Sequence, residues 1–575
     1  MEQKAVMEQG KCAAQNKNIR NNDSKNRPGR IWYGALFLLL ILQILLLLYY
    51  GNRKAGFHED EYYSYYSTNR TAGLFEPDRE WVDRDTFRNE FVVLQGEGFR
   101  YGLVSTVQSW DVHPPFFYFL LHTACSLFPG VFSKWLGIGV NIVAFAINFV
   151  LLCRLSYMVS GKNKWLTFAV AAVYGFNGVI ISGVMFIRMY EWLTVFVLSC
   201  ACIHVRAVIK KDMGIRSFLL PLMAVNYLGF LTQYYYIIFL FFAAAFFCLW
   251  RLWTDRKLWN CIKYGMACGI SLLLAVFSYP ASLSHIFRGY RGTGAASEFL
   301  DAANTGDRLR FFGGLVNEYL FDGFLGLWIL LIVFLACLLA VGKYRDGKRG
   351  DRADAGMNRE MARADAGGEK TAYGLLLFAV CGYFFTVSKT ALLLYETSNR
   401  YQLPIYGILL LLVMAAVYGL WMENASSFMK MKPSWVKWAW GIGLAVITLI
   451  FLADDIHGLV SGKVIFLYEE DGEHMEYAKA NAHMPVIVLY NDATPYHVWW
   501  CSQELMQYER IYFASEGNLE KITDEVLNSS EMAIVYAADY DTKGDSLEMI
   551  LESCPDLEEY RLVLSKGLWS VYELE

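Results

Sequence analysis

The sequence lacks several features that would assign it directly to a common class. Its 12 cysteines do not occur at the paired spacings of zinc sites, so the sequence predicts no cysteine-based metal centre. The polar C-terminal part contains neither a phosphate-binding loop nor the spacing of a catalytic triad. An internal repeat, which many transporters carry, is also missing. No short motif therefore indicates a zinc protein, or a nucleotide-binding or triad-based hydrolytic function for the C-terminal part.

The sequence contains instead a large excess of apolar residues in long runs. Hydrophobic residues make up 55% of the chain, against about 45–50% in ordinary soluble proteins. The run Ile31–Tyr50 is almost uninterrupted, and one helix across a bilayer needs about 20 such residues. This run is too long for a removable signal peptide and has no small-residue cleavage site. We therefore expect a retained first helix and a multi-pass protein of the cell membrane.

Twelve apolar runs are predicted to be membrane spans. They lie at about 31–50, 115–130, 134–153, 165–187, 191–205, 217–232, 234–250, 259–280, 325–342, 371–388, 402–420 and 436–453. Four basic loops follow some of them, namely Arg206–Arg216, Arg251–Lys257, Lys343–Lys370 and Lys430–Lys437. The positive-inside rule places these loops and the basic N-terminus in the cytoplasm.

This orientation conflicts with an even number of spans. Twelve spans would leave the C-terminal part in the cytoplasm, whereas the loop charges place it outside. We therefore predict a thirteenth, short span between Pro115 and Arg206, and an α-helical polytopic fold with about 13 transmembrane helices.

The charge distribution divides the chain into two physically different parts. From Asp454 to the C-terminus there are 7 basic and 25 acidic residues, a net charge of −18, while residues 1–453 carry +14. Such asymmetry argues for separate domains. We predict a disordered basic cytoplasmic tail (1–30), a membrane domain (31–453) and an extracytoplasmic acidic domain (454–575). Within the membrane domain, 51–114 is the first outward loop and 343–370 is a solvated cytoplasmic linker.

The acidic domain has the pattern of a small α/β fold. Strand-like runs at Val486–Tyr490, Ile511–Ala514 and Met532–Ala537 alternate with helical stretches at Trp499–Tyr508, Leu519–Leu527 and Asp545–Ser553. This alternation predicts parallel strand pairing. The segment Tyr560–Tyr572 reads as a hairpin that turns at Lys566–Gly567. Without a recognisable site, the domain is interpreted as an accessory lid or docking domain.

Two clusters in the first outward loop carry candidate chemistry. Asp60 and Glu61 follow the first helix directly, and adjacent carboxylates repel, which raises one pKa toward the range of a useful base. Asp111 and His113 precede two prolines and an aromatic run. Prolines at a helix start fix the entry geometry, and a His beside an Asp can orient a hydroxyl or a phosphate. The alternatives are a solvated acidic loop and a simple helix cap.

The order of these clusters resembles the GT-C glycosyltransferases of the protein O-mannosyltransferase and aminoarabinose transferase type. An Asp-Glu pair after the first helix and His-Pro-Pro-aromatic before the next apolar run are the first matches. Three further elements resemble the family, namely Arg188-Met189-Tyr190, Leu231-Thr232-Gln233-Tyr234-Tyr235, and Glu396 through Arg400-Tyr401 and Pro404. The resemblance covers about 50–450. Gln233 departs from the family pattern, which has His there, so donor or acceptor preference can differ.

The resemblance implies transfer of a sugar from a polyprenyl-phosphate carrier to a lipid, protein or glycan acceptor at the outer surface. On this reading Asp60 is the base that deprotonates the acceptor, and Glu61 supports it or contacts the donor. His113 and Asp111 lie beside the donor phosphate with Tyr190, Gln233 and Tyr401. Arg188 and Arg400 neutralise the leaving phosphate.

Simpler interpretations compete with these roles. Charges inside a membrane are usually functional because burying them is costly, which favours Arg188. Arg400 lies near a helix end and could extend to the interface, while Tyr190 and Tyr401 could be interfacial aromatics. The basic patch of His285, Arg288 and Arg291 could meet a lipid phosphate or serve as a membrane anchor.

Two other functional classes stay open at this stage. A lipid or small-solute transporter or flippase would also be polytopic, but the polar candidates here lie at the outer ends of helices, which favours surface chemistry. A membrane-anchored sensor with a ligand-binding C-terminal domain would need no Asp60 cluster. We expect no essential metal or other cofactor, because only Asp60 and Glu61 are candidate ligands so close together, and no nucleic-acid partner.

Overall fold

Helices dominate the computed structural model, which describes residues 29–70, 81–348, 356–428, 433–515, 519, 532–538, 543–554 and 556–575. The predictions for nearly all of the N-terminal tail and for a helix at 519–527 lie outside these residues, apart from residue 519. The helices of the membrane part are α1 (Arg30–Arg53), α2 (Glu59–Asn69), α3 (Arg84–Arg88), α4 (Tyr101–Trp110), α5 (Phe116–Ser126), α6 (Lys134–Val159), α7 (Lys164–Phe176), α8 (Gly178–Met185), α9 (Tyr190–Lys210), α10 (Leu220–Thr232), α11 (Tyr236–Asp255), α12 (Leu258–Ser278), α13 (Ala281–Phe287), α14 (Tyr290–Leu300), α15 (Thr305–Leu315), α16 (Leu325–Lys348), α17 (Gly356–Thr390), α18 (Asn399–Phe428) and α19 (Pro433–Val460).

By length and composition, the described residues contain eleven candidate membrane spans when a bent pair of helices is counted as one. Ten helices are long and apolar enough to cross a membrane, and the pair α7 and α8, bent by 56°, makes the eleventh. The bend lies at Asn177, whose side-chain oxygen accepts the Val179 N–H and caps α8. The Asn177 amide donates to Leu320 O and to Asp455. A lipid-embedded chain is helical because each backbone group must find its hydrogen bond within the segment.

The helix α5 explains the difference from the predicted count. Its 11 residues are too few to cross a bilayer. Lys134 at the start of α6 donates to Asn52 O at the end of α1, so the chain enters and leaves the 54–133 segment on the same side. The predicted span at 115–130 is therefore wrong, and the structure has no thirteenth span between Pro115 and Arg206.

The number of spans is odd in the structure, as it was in the prediction, because eleven replaces thirteen. Eleven spans place the start of α1 and the C-terminal domain on opposite sides of the helix bundle. Trp32 near the start of α1 donates to Lys164 O at the start of α7, as this arrangement requires. The conflict that suggested a thirteenth span is thus resolved by removing one span.

The C-terminal domain is built on a six-stranded sheet with the order β1-β3-β2-β4-β6-β5. Its strands are β1 (Val82–Asp83), β2 (Pro485–Leu489), β3 (Arg510–Ala514), β4 (Ala533–Ala538), β5 (Tyr560–Lys566) and β6 (Trp569–Leu574), with helices α20 (Asp471–Ala480), α21 (Ser502–Leu505) and α22 (Lys543–Ser553). The predicted parallel pairing of β2, β3 and β4 is confirmed. The predicted hairpin is confirmed as well, with Gly567 at a φ of +56° in its turn.

The first loop also contributes to this sheet, which the sequence did not predict. Val82 pairs with Ile511 in an antiparallel bridge between β1 and β3. Tyr66 on α2 packs its ring 4.9 Å from that of Trp499. The expected boundary at 454 falls within α19. The loop after the first span and the C-terminal domain therefore form one packed unit on one side of the bundle.

The parity of the spans can be tested by labelling. Asp492 in the C-terminal domain and Lys257 between α11 and α12 are both exposed. We expect Asp492→Cys and Lys257→Cys to react with a membrane-impermeant maleimide from opposite sides of the membrane, above the background of the unsubstituted chain. Labelling of both positions from one side would contradict the eleven-span topology.

Candidate active site

The acidic cluster of the first loop, Glu59, Asp60 and Glu61, forms the first turn of the helix α2. His58 caps its N-terminus, since His58 Nδ1 accepts the Asp60 N–H at 3.1 Å and Glu61 Oε2 accepts the His58 N–H at 2.7 Å. This reciprocal capping box satisfies two backbone donors that a helix start leaves free. The positions of Glu59, Asp60 and Glu61 on the first turn are thereby fixed.

A buried ion pair between Lys54 and Glu61 joins this turn to the rest of the bundle. Both side chains have no exposed surface, and Lys54 Nζ lies 2.9 Å from Glu61 Oε2. Lys54 also donates to Phe466 O at 2.6 Å, and Glu61 Oε1 accepts the Ile187 N–H at 2.8 Å. The pair thus links the end of α1, α2, the segment before Arg188 and the chain that enters the C-terminal domain.

Asp60 lies between two arginines that come from distant parts of the sequence. Arg400 Nη1 is 2.6 Å from Asp60 Oδ2, and Arg188 Nη2 is 3.9 Å from Oδ1. Burial by itself raises the pKa of Asp60, but the charges of Arg188 and Arg400 outweigh burial and keep this pKa well below its usual range. Asp60 is therefore the ionised counter-ion of these arginines, and the rise in pKa expected for one carboxylate of the pair does not occur at Asp60.

Arg188 is held by a network of oxygen acceptors. Its Nη1 donates to Asp60 O, to Ser64 Oγ and to Tyr118 Oη at 3.1 to 3.3 Å. The side chain is 3% exposed, so its charge is compensated by these contacts rather than by water. Arg188 lies in the connection between α8 and α9.

His113 orients Arg188 with the help of Asp111. His113 Nδ1 is 2.6 Å from Asp111 Oδ2, and His113 Nε2 is 3.3 Å from Arg188 Nη2. Because arginine can only donate, Nε2 acts as the acceptor and the proton lies on Nδ1 toward Asp111. Burial lowers the pKa of His113, and Arg188 lowers it further. The imidazole is accordingly neutral.

Aromatic rings enclose the arginine end of the site. Arg400 lies 5.2 Å from the ring centroids of both Phe186 and Tyr401, a distance typical of cation–π contact. Tyr190 and Tyr401 meet edge to face at 5.7 Å. These rings limit access of water to the guanidinium groups.

A cavity of about 840 Å³ opens beside these groups. Seven of the predicted site residues line it, namely Asp60, His113, Arg188, Tyr190, Gln233, Arg400 and Tyr401. The helices α14 and α15 also contribute to the lining, with Arg291, Glu298 and Arg308. Arg308 is fixed by Ser388 O and by an ion pair with Glu298. The four arginines and two carboxylates of the lining give the cavity an excess of positive charge.

Two predicted residues do not line this cavity. Asp111 lies behind His113, and Glu61 is engaged by Lys54, so the expected contact of Glu61 with a donor does not fit its position. Lys54, Glu59 and Arg308 were missed by sequence reasoning. A lysine directly after an apolar span and seven residues before Glu61 was an available signal for Lys54, whereas no local pattern identifies Arg308.

Only two of the three residues of the predicted basic patch, His285, Arg288 and Arg291, line the cavity. His285 is buried and lies between Tyr234 Oη, 2.9 Å from Nδ1, and Ser109 O, 3.2 Å from Nε2. Its Nε2 donates to the Ser109 carbonyl, so its Nδ1 accepts from Tyr234. Both His285 and Arg291 line the cavity, but Arg288 does not. His285 therefore serves to connect α13 with α4.

Comparison with known proteins returns similarity to solved structures only. No protein-family model matches the chain, and no curated protein sequence does. The crystal structure of ArnT from Cupriavidus metallidurans bound to undecaprenyl phosphate is similar with a TM-score of 0.49 and 12% identity, covering 94% of this chain and 98% of that one. The apo crystal structure of the same protein has a TM-score of 0.41 and 12% identity, with 89% and 96% covered.

The buried pair of Lys54 and Glu61 can be tested through stability. Removing one partner leaves a buried charge, so we expect Lys54→Met or Glu61→Gln to cost about 3–5 kcal/mol. The double variant Lys54→Met/Glu61→Leu leaves neither charge and should recover much of this loss. Thermal unfolding in detergent measures the effect. Equal melting temperatures for the single variants and the wild type would show that the pair does not stabilise the fold.

Proposed function

We propose that this protein is a membrane glycosyltransferase that moves a sugar from a polyprenyl-phosphate carrier to an acceptor at the outer face of the membrane. The observation that carries the proposal is the position of Asp60 between Arg188 and Arg400 at the wall of one large cavity. The order of the sequence motifs supports the same reaction. The acceptor belongs to the lipid, protein or glycan class.

The charge of the cavity suits a phosphate leaving group. Guanidinium groups bind phosphate oxygens with paired, charge-assisted hydrogen bonds. The lining carries four arginines against two carboxylates, an excess of two positive charges. A carrier phosphate gains negative charge when the sugar leaves, so prearranged cations stabilise the transition state more than the bound donor.

Asp60 is the proposed base, and its ion pairs supply a means of activation. Arg188 and Arg400 depress the pKa of Asp60, which makes it a weak base while these ion pairs persist. A donor phosphate would compete for the same guanidinium groups and reduce their hold on the carboxylate. The pKa of Asp60 then rises toward the range in which proton transfer is efficient.

The reaction follows from these positions. An acceptor hydroxyl attacks the anomeric carbon of the sugar while Asp60 takes its proton. The bond between this carbon and the phosphate oxygen breaks, and its electron pair leaves with the phosphate, next to Arg188 and Arg400. Asp111 holds His113, and His113 in turn keeps Arg188 aligned. Gln233, Tyr190 and Tyr401 form the wall near the donor.

The location of the site agrees with chemistry outside the cell. Asp60, Arg188 and Arg400 lie on the side of the bundle that also carries the C-terminal domain. The basic loops between other spans mark the opposite side as cytoplasmic by the positive-inside rule. The N-terminus would then be cytoplasmic and the C-terminal domain extracytoplasmic.

Replacement of Asp60 tests the base. We expect Asp60→Asn to lower kcat by about 10²–10⁴-fold, since general base catalysis contributes this much, with binding of the carrier retained. Transfer from a synthetic polyprenyl-phosphate sugar measures kcat. Asp307→Asn is the matched control, because Asp307 forms an exposed pair with Arg310. Full turnover in Asp60→Asn would remove Asp60 from the mechanism.

Replacement of Arg400 tests the phosphate site. A charge-assisted hydrogen bond contributes about 1.5–3 kcal/mol, so Arg400→Met should weaken binding of a short-chain polyprenyl phosphate by roughly 10- to 100-fold. Isothermal titration of the detergent-solubilised protein measures the Kd. Arg310→Met, at a site with 82% side-chain exposure, should leave it unchanged. An unaltered Kd in Arg400→Met would argue against a phosphate at this place.

A further inference from the structure

Glu59, directly before Asp60, is held by the C-terminal domain. Its Oε2 accepts from Trp500 Nε1 at 2.9 Å and lies 3.2 Å from His497 Nδ1. The Trp500 ring also packs edge-on against His58, with 5.0 Å between centroids. The first turn of α2 therefore has partners both in the membrane part and in the C-terminal domain.

Trp500 and His497 are themselves fixed within their domain. Trp500 O accepts from Lys566 Nζ at 2.9 Å, and Lys566 forms ion pairs with Asp471 and Glu504 at 2.8 and 2.9 Å. His497 O accepts from Trp569 Nε1 at 3.1 Å. The two groups that hold Glu59 are thus anchored by hydrogen bonds to other parts of the C-terminal domain.

Three consecutive acidic residues point in three directions from this turn. Successive side chains of an α-helix are rotated by about 100°, so Glu59, Asp60 and Glu61 cannot share one partner. Glu59 meets Trp500, Asp60 meets Arg400, and Glu61 meets Lys54. Contacts on either side of Asp60 fix both the rotation and the axial position of the helix.

We propose that Trp500 and His497 are positioning residues for Asp60 and act through Glu59. This inference rests on the proposed function and assigns to the C-terminal domain a part in building the site, in place of a detached accessory role. A reacting group must be held to within about 0.5 Å of its productive position. Trp500 and His497 hold the first turn of α2 at Glu59, and Lys54 holds it at Glu61 on the other side of Asp60.

The protonation of Glu59 is consistent with this role. Burial, followed by the charge of Asp60, raises the pKa of Glu59 to about 7, against the opposing effects of the Trp500 hydrogen bond, Arg400 and Arg291. Burial lowers the pKa of the adjacent His58 to about 3, so it is neutral, and burial also lowers the pKa of His497. Glu59 can accept from Trp500 in either protonation state, because both forms keep a free carboxyl oxygen.

The first test measures position without reference to sugar transfer. Trp500→Phe retains an aromatic ring but removes the N–H donor. We expect hydrogen–deuterium exchange of the amides in 60–66 to accelerate by about tenfold in this variant, from loss of a bond to a fixed group. Tyr477→Phe is the control, since it removes one hydrogen bond of the same domain, to Glu573. Equal exchange in both variants would overturn the proposal, whatever the protein transfers.

The second test uses kinetics on the same variants. We expect Trp500→Phe to lower kcat by about tenfold while the donor KM changes by less than about twofold, since misplacement of a reacting group acts on the chemical step. Glu59→Gln keeps an acceptor for Trp500 and should retain most of kcat, whereas Glu59→Ala should lose as much as Trp500→Phe.

The double variant decides whether the two residues act as one unit. Trp500→Phe should cause no further loss of kcat in the Glu59→Ala background, because the contact is already absent there. Losses that multiply would show independent effects and overturn the proposal. If the wild type itself transfers no sugar, the proposed function fails, while the exchange experiment still reports on positioning.

Discussion

The ion pair of Lys54 and Glu61 is the contact on which the candidate site depends. Two charges without exposed surface are tolerated only when their remaining hydrogen-bonding capacity is used. The Ile187 and His58 N–H groups and the Phe466 carbonyl provide these partners. The pair consequently requires segments far apart in sequence to meet at one point. Where they meet, Asp60 faces Arg188 and Arg400.

The lining of the cavity carries more positive than negative charge. Asp60 is the counter-ion of Arg188 and Arg400. Arg291 and Arg308 add two further positive charges to the lining, and Glu298 is the acidic partner of Arg308. On the proposed function, a donor phosphate replaces Asp60 as counter-ion and frees it for proton transfer. This exchange of ion-pair partners would couple binding of the donor to activation of the base.

The C-terminal domain and the first loop each contribute residues to the structure of the other. The loop supplies β1 to the sheet of the domain, and the domain supplies Trp500 and His497 to the first turn of α2. The domain was interpreted from its sequence as an accessory lid because it contains no recognisable motif. Its contribution is made through hydrogen bonds to Glu59, and such contacts leave no pattern in a single sequence.

The sequence by itself determined the membrane class, the parallel strands of the C-terminal domain and seven of the residues that line the cavity. Apolar run length and strand alternation are local properties, and the Asp60, His113, Arg188 and Arg400 motifs could be recognised by their order. Tertiary structure decided that α5 does not cross the membrane, that Glu61 serves Lys54, and that His113 accepts from Arg188. It also brought Arg308 and Trp500 to the site. Lys54 and Glu61 are only seven positions apart, but the contacts of His113 with Arg188 and of Trp500 with Glu59 join residues 75 and 441 positions apart, whose distances are set by packing.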